Sequence, residues 1–401
     1  MIEATSLPAA HRLVRPNTLL SDLLLSVYAT AGFFYVNIMA VMVDALITRR
    51  GFTAAQAGMV PAFNVYGAVG GSLLALYIAQ RFPWRRSSVV MLLLLMVTDF
   101  SSARIGVPSW LIAVRFVHGL IAGCLVGTSY TVMSRTKSPD RAFGMLLFLQ
   151  YGVAGLALAF VPELVRARGA QVVFWLLLAF SLLTLLILPL IPEHVRSPAP
   201  QAAADTGTRR SALLRVVGLT LAAIFLFQGS NMSLAAFLIP LGQHFGLPID
   251  RISAALGVSS WVSMGGAAAV ILITTRYGRL MPIALGYVGL LASGWAYHFS
   301  ASLNVYFIAS CISGASWAFT IPYLFGICAE QDASGRSTVL AGLFSKLGLA
   351  SGPLVGGMMI ELTRNNYGML IDASVAVLAL SAVPALLSAA ASLDSLKRSA
   401  P

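Results

Sequence analysis

At 401 residues, with 58% hydrophobic and only 10% charged side chains and a mean hydropathy of +0.85, the chain is too apolar to be a water-soluble globule, which carries about 25% charged residues. The formal net charge of +12 would suggest nucleic acid in a soluble protein, but the basic residues gather in particular loops and no basic helix is interleaved with stacking aromatics, so the lipid bilayer is the expected partner and nucleic acid is not. Cys124, Cys311 and Cys328 lie in apolar segments without metal-ligand spacing, which predicts neither a disulfide nor a metal site.

A bilayer core about 30 Å thick needs roughly 20 apolar residues in helix. Twelve stretches meet this: 19–47, 56–79, 87–105, 110–133, 141–163 and 170–191, then 212–243, 252–274, 280–299, 303–328, 338–362 and 368–392. The first is too long for the apolar core of a signal peptide and should be retained. The predicted fold is all-α: twelve transmembrane helices in two pseudo-symmetric six-helix bundles. The domains are an N-terminal tail (1–18), a first bundle (19–191), a linker (192–211) containing Ser197-Pro198-Ala199-Pro200, a second bundle (212–392) and a C-terminal tail (393–401).

Span 1 carries Asp22 at its start, Tyr35 and Asn37 near its middle, and Asp44 close to Arg49 and Arg50. Asp22 reads as a helix N-terminal charge. The loop after span 2 follows Gly70-Gly71 and ends Gln80-Arg81-Phe82-Pro83-Trp84-Arg85-Arg86. Asp99 in span 3 and Arg115 in span 4 sit at matching depth across a short loop, and they are expected to pair. That pair is either a proton-binding unit or a structural one; Asp44, the second acid at this level, reads first as a structural ion pair with the nearby Arg49 and Arg50 and otherwise as a proton site. His118 is a proton relay or a hydrogen-bonded interior histidine. Gly119, Gly123 and Gly127 recur every four residues, as do Gly348, Gly352 and Gly356 in span 11; such ridges let helices approach closely. Gln228 and Asn231 in span 7 occupy positions corresponding to Asn37. These amides and Tyr35 are candidate substrate contacts or interhelical bonds. Lys346 lies about eight residues into span 11, near 12 Å deep at about 1.5 Å per residue, where an uncompensated charge costs about 3 kcal/mol. It must face a cavity, a second interface, helix carbonyls or an acid.

The glycine pair and its arginine recur as Gly265-Gly266 with Arg276, 195 residues after Gly70-Gly71 with Arg81. A duplicated block of membrane spans is a common ground plan of secondary transporters. Seventeen Lys and Arg fall in the loops on the side of the termini and seven in the opposite loops, which predicts cytoplasmic termini.

These residues resemble the major facilitator superfamily from about 19 to 392. The loop after span 2 is similar to the family's signature of a glycine, an Asp-Arg and a closing Gly-Arg-Arg; its second copy ends Thr275-Arg276-Tyr277-Gly278-Arg279. Gln80 and Thr275 stand where the signature has Asp. The resemblance implies a weakened gate at Arg81 and Arg276, both of which remain able to cap helix carbonyls. Arg115-x3-Gly119 is similar to the family's span-4 motif. Gly352-Pro353 resembles a motif that drug/proton antiporters place in span 5, where this chain has none.

The expected activity is alternating access to a midplane site for a small organic anion coupled to protons. Lys346 would bind the anion, with Asn37, Tyr35, Gln228, Asn231 and His118 around it; Asp99, Arg115 and Asp44 would carry proton coupling. Export of a neutral or cationic compound is the alternative, and a non-transporting sensor a remote one. No cofactor, nucleotide-binding loop or hydrolytic motif is present in the sequence, so no enzymatic activity is expected. The protein is expected in the bacterial inner membrane, as a monomer.

Overall fold

The computed structural model describes residues 14–137, 139–192, 210–273, 278–331 and 336–399. Among these there is no strand. The first half contains α1 (Leu19–Asn37), α2 (Met39–Arg50), α3 (Ala54–Arg81), α4 (Trp84–Arg104), α5 (Pro108–Met133), α6 (Pro139–Arg168) and α7 (Gln171–Ile187). The second contains α8 (Arg210–Ala235), α9 (Leu238–His244), α10 (Ile249–Ile273), α11 (Leu280–Ala296), α12 (Leu303–Gln331), α13 (Arg336–Leu362) and α14 (Tyr367–Ser399). Eleven of the helices are long and apolar enough to cross a membrane. The remaining span, α3, is rich in glycine and other small residues because it is a packing surface between α5 and α13.

Four features differ from the sequence reading. Spans 1 and 7 are each two helices. The first breaks at Ile38 (φ −107°, ψ 17°) and the second at Phe237 (φ −112°, ψ 12°), a matched interruption that apolar periodicity does not reveal. α8 starts at Arg210, inside the expected linker, and α14 runs on to Ser399 beyond 392. Residues 193–209 of the linker lie outside the described residues.

Local chemistry explains the sharp entry into α3. Gly51 takes the left-handed conformation (φ 67°) that ends α2. Two residues later Thr53 forms a capping box with Gln56.

The repeated glycines set helix separation in both halves. A Cβ on Gly71 would lie 2.0 Å from the Leu120 carbonyl oxygen of α5, and one on Gly266 would lie 2.1 Å from the Ala315 carbonyl oxygen of α12. Both ridges are packing surfaces: Gly119 and Gly123 press on the α3 backbone, and Gly348, Gly352 and Gly356 on the α8 backbone. Where lipid removes the hydrophobic drive, this close approach supplies dispersion instead.

The halves meet along α3 with α13 and α6 with α10, and α2 with α9. Their cross-links run from mid-depth to the face opposite the termini. There Ala55 N–H donates to Glu361, Tyr66 hydroxyl meets Ser351 Oγ at 2.8 Å, Ser260 Oγ donates to Tyr151 O, and Trp261 Nε1–H to Gly152 O. Towards the termini, α5 and α12 share no hydrogen bond or ion pair among the described residues.

Candidate functional site

Two constellations hold the candidate residues. The first is enclosed in the N-terminal half. Asp99 of α4 and Arg115 of α5 pair at 2.7 Å (Oδ1 to Nη1), with 1% and 0% of their surface exposed. His118, one turn deeper on α5, places Nε2 3.3 Å from the same carboxylate oxygen. Its Nδ1 lies 2.9 Å from Asn64 Nδ2, a pattern that fits the ring tautomer with its hydrogen on Nε2. Asn64 also donates to the Arg115 carbonyl at 2.9 Å, while its Oδ1 faces Arg115 Nη2 at 3.4 Å. Tyr35 stands edge-on to the His118 ring, and the Arg115 guanidinium lies 5.7 Å from the centre of Phe174. Asp99 Oδ2 and Arg115 Nε remain buried without a hydrogen-bond partner.

This cluster gathers Tyr35, Asp99, Arg115 and His118 as one unit. It buries Tyr35 and His118 inside the bundle, at 2% exposure each, away from the boundary between the halves.

The second constellation lies at that boundary. Lys346 of α13 donates from Nζ to Ser72 Oγ of α3 at 2.5 Å, and it makes no ion pair among the described residues. Of the four environments the sequence left open, it occupies the second interface, with neither an acid nor helix carbonyls as its hydrogen-bond partner. On the α8 side of α13, Gln228 Nε2 donates to Ser345 Oγ at 2.8 Å and Gln228 Oε1 accepts from Trp317 Nε1 at 2.8 Å. Asn37 donates to the Gln150 carbonyl of α6, and Asn231 to the Phe227 carbonyl of its own helix.

Asp44 departs from the expected environment. Arg49 donates to the Arg166 carbonyl, and Arg50 to the carbonyls of Ser102, Ala103 and Ile105. The two arginines thus cap the ends of α6 and α4, where the helix dipole is negative. Asp44 makes no ion pair among the described residues; Gln243 of the opposite half lies near its carboxylate, and the Arg49 charge acts on it from further off. Asp22 is more than a helix-start charge, since it pairs with Arg141 at 2.6 Å.

Arg81 stacks over Tyr77, 4.4 Å from its ring centre, rather than capping a helix. Arg85 does the capping, donating to the Ile191 carbonyl. Arg276 lies outside the described residues; nearby Arg279 pairs with Glu330.

Sequence reasoning missed Asn64, Ser72 and Trp317. Asn64 had a usable signal, as an amide midway along an apolar span. Ser72 had none beyond its place after the glycine pair.

The family model of the major facilitator superfamily matches residues 24–345. A 3-(3-hydroxyphenyl)propionate transporter of Escherichia coli (strain K12) is 24% identical over 351 residues, covering 80% of this chain and 82% of that protein. Among solved structures, a D-xylose-proton symporter is similar with a TM-score of 0.70 and 18% identity, over 91% of this chain and 96% of that one. A bacterial homologue of the lysosomal transporter Spinster, in an inward-facing and unoccupied conformation, is similar with a TM-score of 0.68 and 16% identity, over 95% and 98%. At these identities the solved structures speak to the fold alone. The family match spans most of both bundles: the chain belongs to the major facilitator superfamily, and is a multi-pass secondary transporter rather than an enzyme.

Proposed function

We propose that the protein carries a small organic anion, an aryl-alkanoate carboxylate, across the bacterial inner membrane together with protons, with both termini cytoplasmic. The observation that carries this reading is Lys346: a cation at mid-depth on the seam between the halves, held by a neutral hydroxyl. A carboxylate there gains a charge-assisted hydrogen bond about twice as strong as a neutral one. The Gln228 and Trp317 pair, bonded to Ser345 next in the chain to Lys346, is the candidate for contact with the rest of the solute. The transporter from Escherichia coli, named for an arylpropionate, is consistent with this class of substrate.

Proton coupling is assigned to Asp99, with Arg115 and His118 as the groups that set its charge state. Asp99 is the carboxylate on which Arg115 and His118 converge, and its Oδ2 is buried without a hydrogen-bond partner. Asp44, near Gln243 of the opposite half, is the second candidate.

Proteoliposomes containing the purified protein test this. Labelled 3-(3-hydroxyphenyl)propionate should accumulate when a pH gradient is imposed, and Lys346→Ala should reduce uptake at least about tenfold, the equivalent of one charged hydrogen bond. Undiminished uptake by Lys346→Ala would overturn the anion site. Uptake indifferent to the gradient would overturn the coupling.

A further inference from the structure

Ser72 places a competitor on the anion-binding cation. Its own proton is committed: Ser72 Oγ donates to the Ala68 carbonyl at 2.8 Å. What it presents to Lys346 is therefore a lone pair, which makes it an acceptor of the kind a carboxylate oxygen would be. Gly71, one residue earlier, fixes this placement, because its missing side chain lets α3 lie against the Leu120 backbone of α5. Ser72 then projects about 100° further round the helix.

The bond also occupies a particular rung of the seam. On the side away from the termini, α3 and α13 are close: Tyr66 meets Ser351, and a Cβ on Gly58 would lie 2.2 Å from the Pro353 carbonyl oxygen. On the side of the termini, a Cβ on Gly342 would meet nothing within 4 Å, and Leu73, Leu74, Val339 and Leu340 are exposed. Among the described residues, Lys346 and Ser72 form the hydrogen bond between α3 and α13 that lies nearest the side of the termini.

We infer that Ser72 is a place-holding ligand of Lys346, and that the substrate carboxylate displaces it. The inference rests on the anion reading of Lys346 and adds to it a residue that positions the ammonium and tunes affinity. When the carboxylate takes the ammonium, the α3–α13 rung is released, so binding acts on the equilibrium between the two faces through a contact that exists in only one arrangement. Ser72 lowers affinity in this arrangement in return for that linkage.

The test is equilibrium binding of 3-(3-hydroxyphenyl)propionate, and of its neutral amide, to purified full-length protein. The variants are Ser72→Ala, Ser72→Thr, Lys346→Ala and the double variant Ser72→Ala with Lys346→Ala. Ser72→Ala should tighten carboxylate binding about five- to tenfold, the range expected when a competing hydrogen bond to a charged group is removed, and leave amide binding as in the wild type. Ser72→Thr restores the hydroxyl and should bind like the wild type, which separates competition from a packing effect. The gain should vanish in the double variant. Carboxylate binding that is lost in Lys346→Ala but unimproved or weakened in Ser72→Ala overturns the inference and leaves the anion site standing. Binding indifferent to Lys346→Ala, or absent from the wild type, overturns both.

Discussion

Carried through the 195-residue offset, Asn64, Asp99, Arg115 and His118 of the first half fall on Ser259, Gly294, Ser310 and Ser313 of the second. The two places share a scaffold and differ in what fills it. In the first half the space is taken by large charged and aromatic side chains bonded to one another. In the second, a small cavity remains, lined in part by Ser230, Gly294, Ser313 and Ser374. Tyr297 supplies some of the missing bulk, and its hydroxyl donates to Ser310 Oγ at 3.3 Å. The serines of the second half satisfy themselves on nearby backbone, as Ser310 does on Tyr306 and Ser230 on Ser374. Nothing there depends on a charge. A buried ion pair gives little net stability over a well-packed apolar core, and the second half packs the matching space without one.

Substitutions can break or sharpen this contrast. The largest effect is expected from Arg115→Leu, which strands the Asp99 carboxylate in a dry site at a cost of about 3–5 kcal/mol. The matched Ser310→Ala removes two neutral hydrogen bonds, to the Tyr306 carbonyl and from the Tyr297 hydroxyl, each worth about 1 kcal/mol. Unfolding of the two variants in the same detergent compares them directly, and equal losses would erase the distinction. Next come the scaffold glycines. Gly71→Ala and Gly266→Ala each drive a methyl into a facing carbonyl and should destabilise by about 1–3 kcal/mol, alike in the two halves; a large difference would show that the scaffold has diverged as well. Arg50→Ala removes three carbonyl contacts at the end of α4 and should lower stability by about 1 kcal/mol. The smallest change is expected from Ser313→Thr, whose extra methyl enters the cavity and should stay within about 1 kcal/mol of the wild type, as a melting curve will show.

What could be read from the chain follows the same division. Spans and the two bundles were legible because apolar runs of bilayer length and a duplicated glycine pair are properties of sequence alone. The pairing of Asp99 with Arg115 was legible from depth, since two opposite charges at one level of adjacent spans have few other options. The partner of Lys346 was not. Charge matching directs attention to acids or carbonyls, whereas the acceptor is a serine hydroxyl 274 residues away in the other half, one of many serines with nothing local to distinguish it. Arg49 and Arg50 misled for a related reason. Nearness in sequence suggested Asp44, but a guanidinium can satisfy several donors at once on the bare carbonyls of a helix end, and it is tertiary packing that brings those ends within reach.

The interruptions at Ile38 and Phe237 give the molecule a pair of joints. A continuous rod through the bilayer transmits tilt from one face to the other, whereas a jointed one does not. Here the segments beyond the joints, α2 and α9, touch each other and close the face opposite the termini, while the longer segments before them hold Asn37, Gln228 and Asn231. Because the backbone turns at both joints through nearly the same angles, the pieces can shift as a symmetric pair. The two faces of the bilayer are thereby served by separate helical segments in both halves, joined at Ile38 and Phe237.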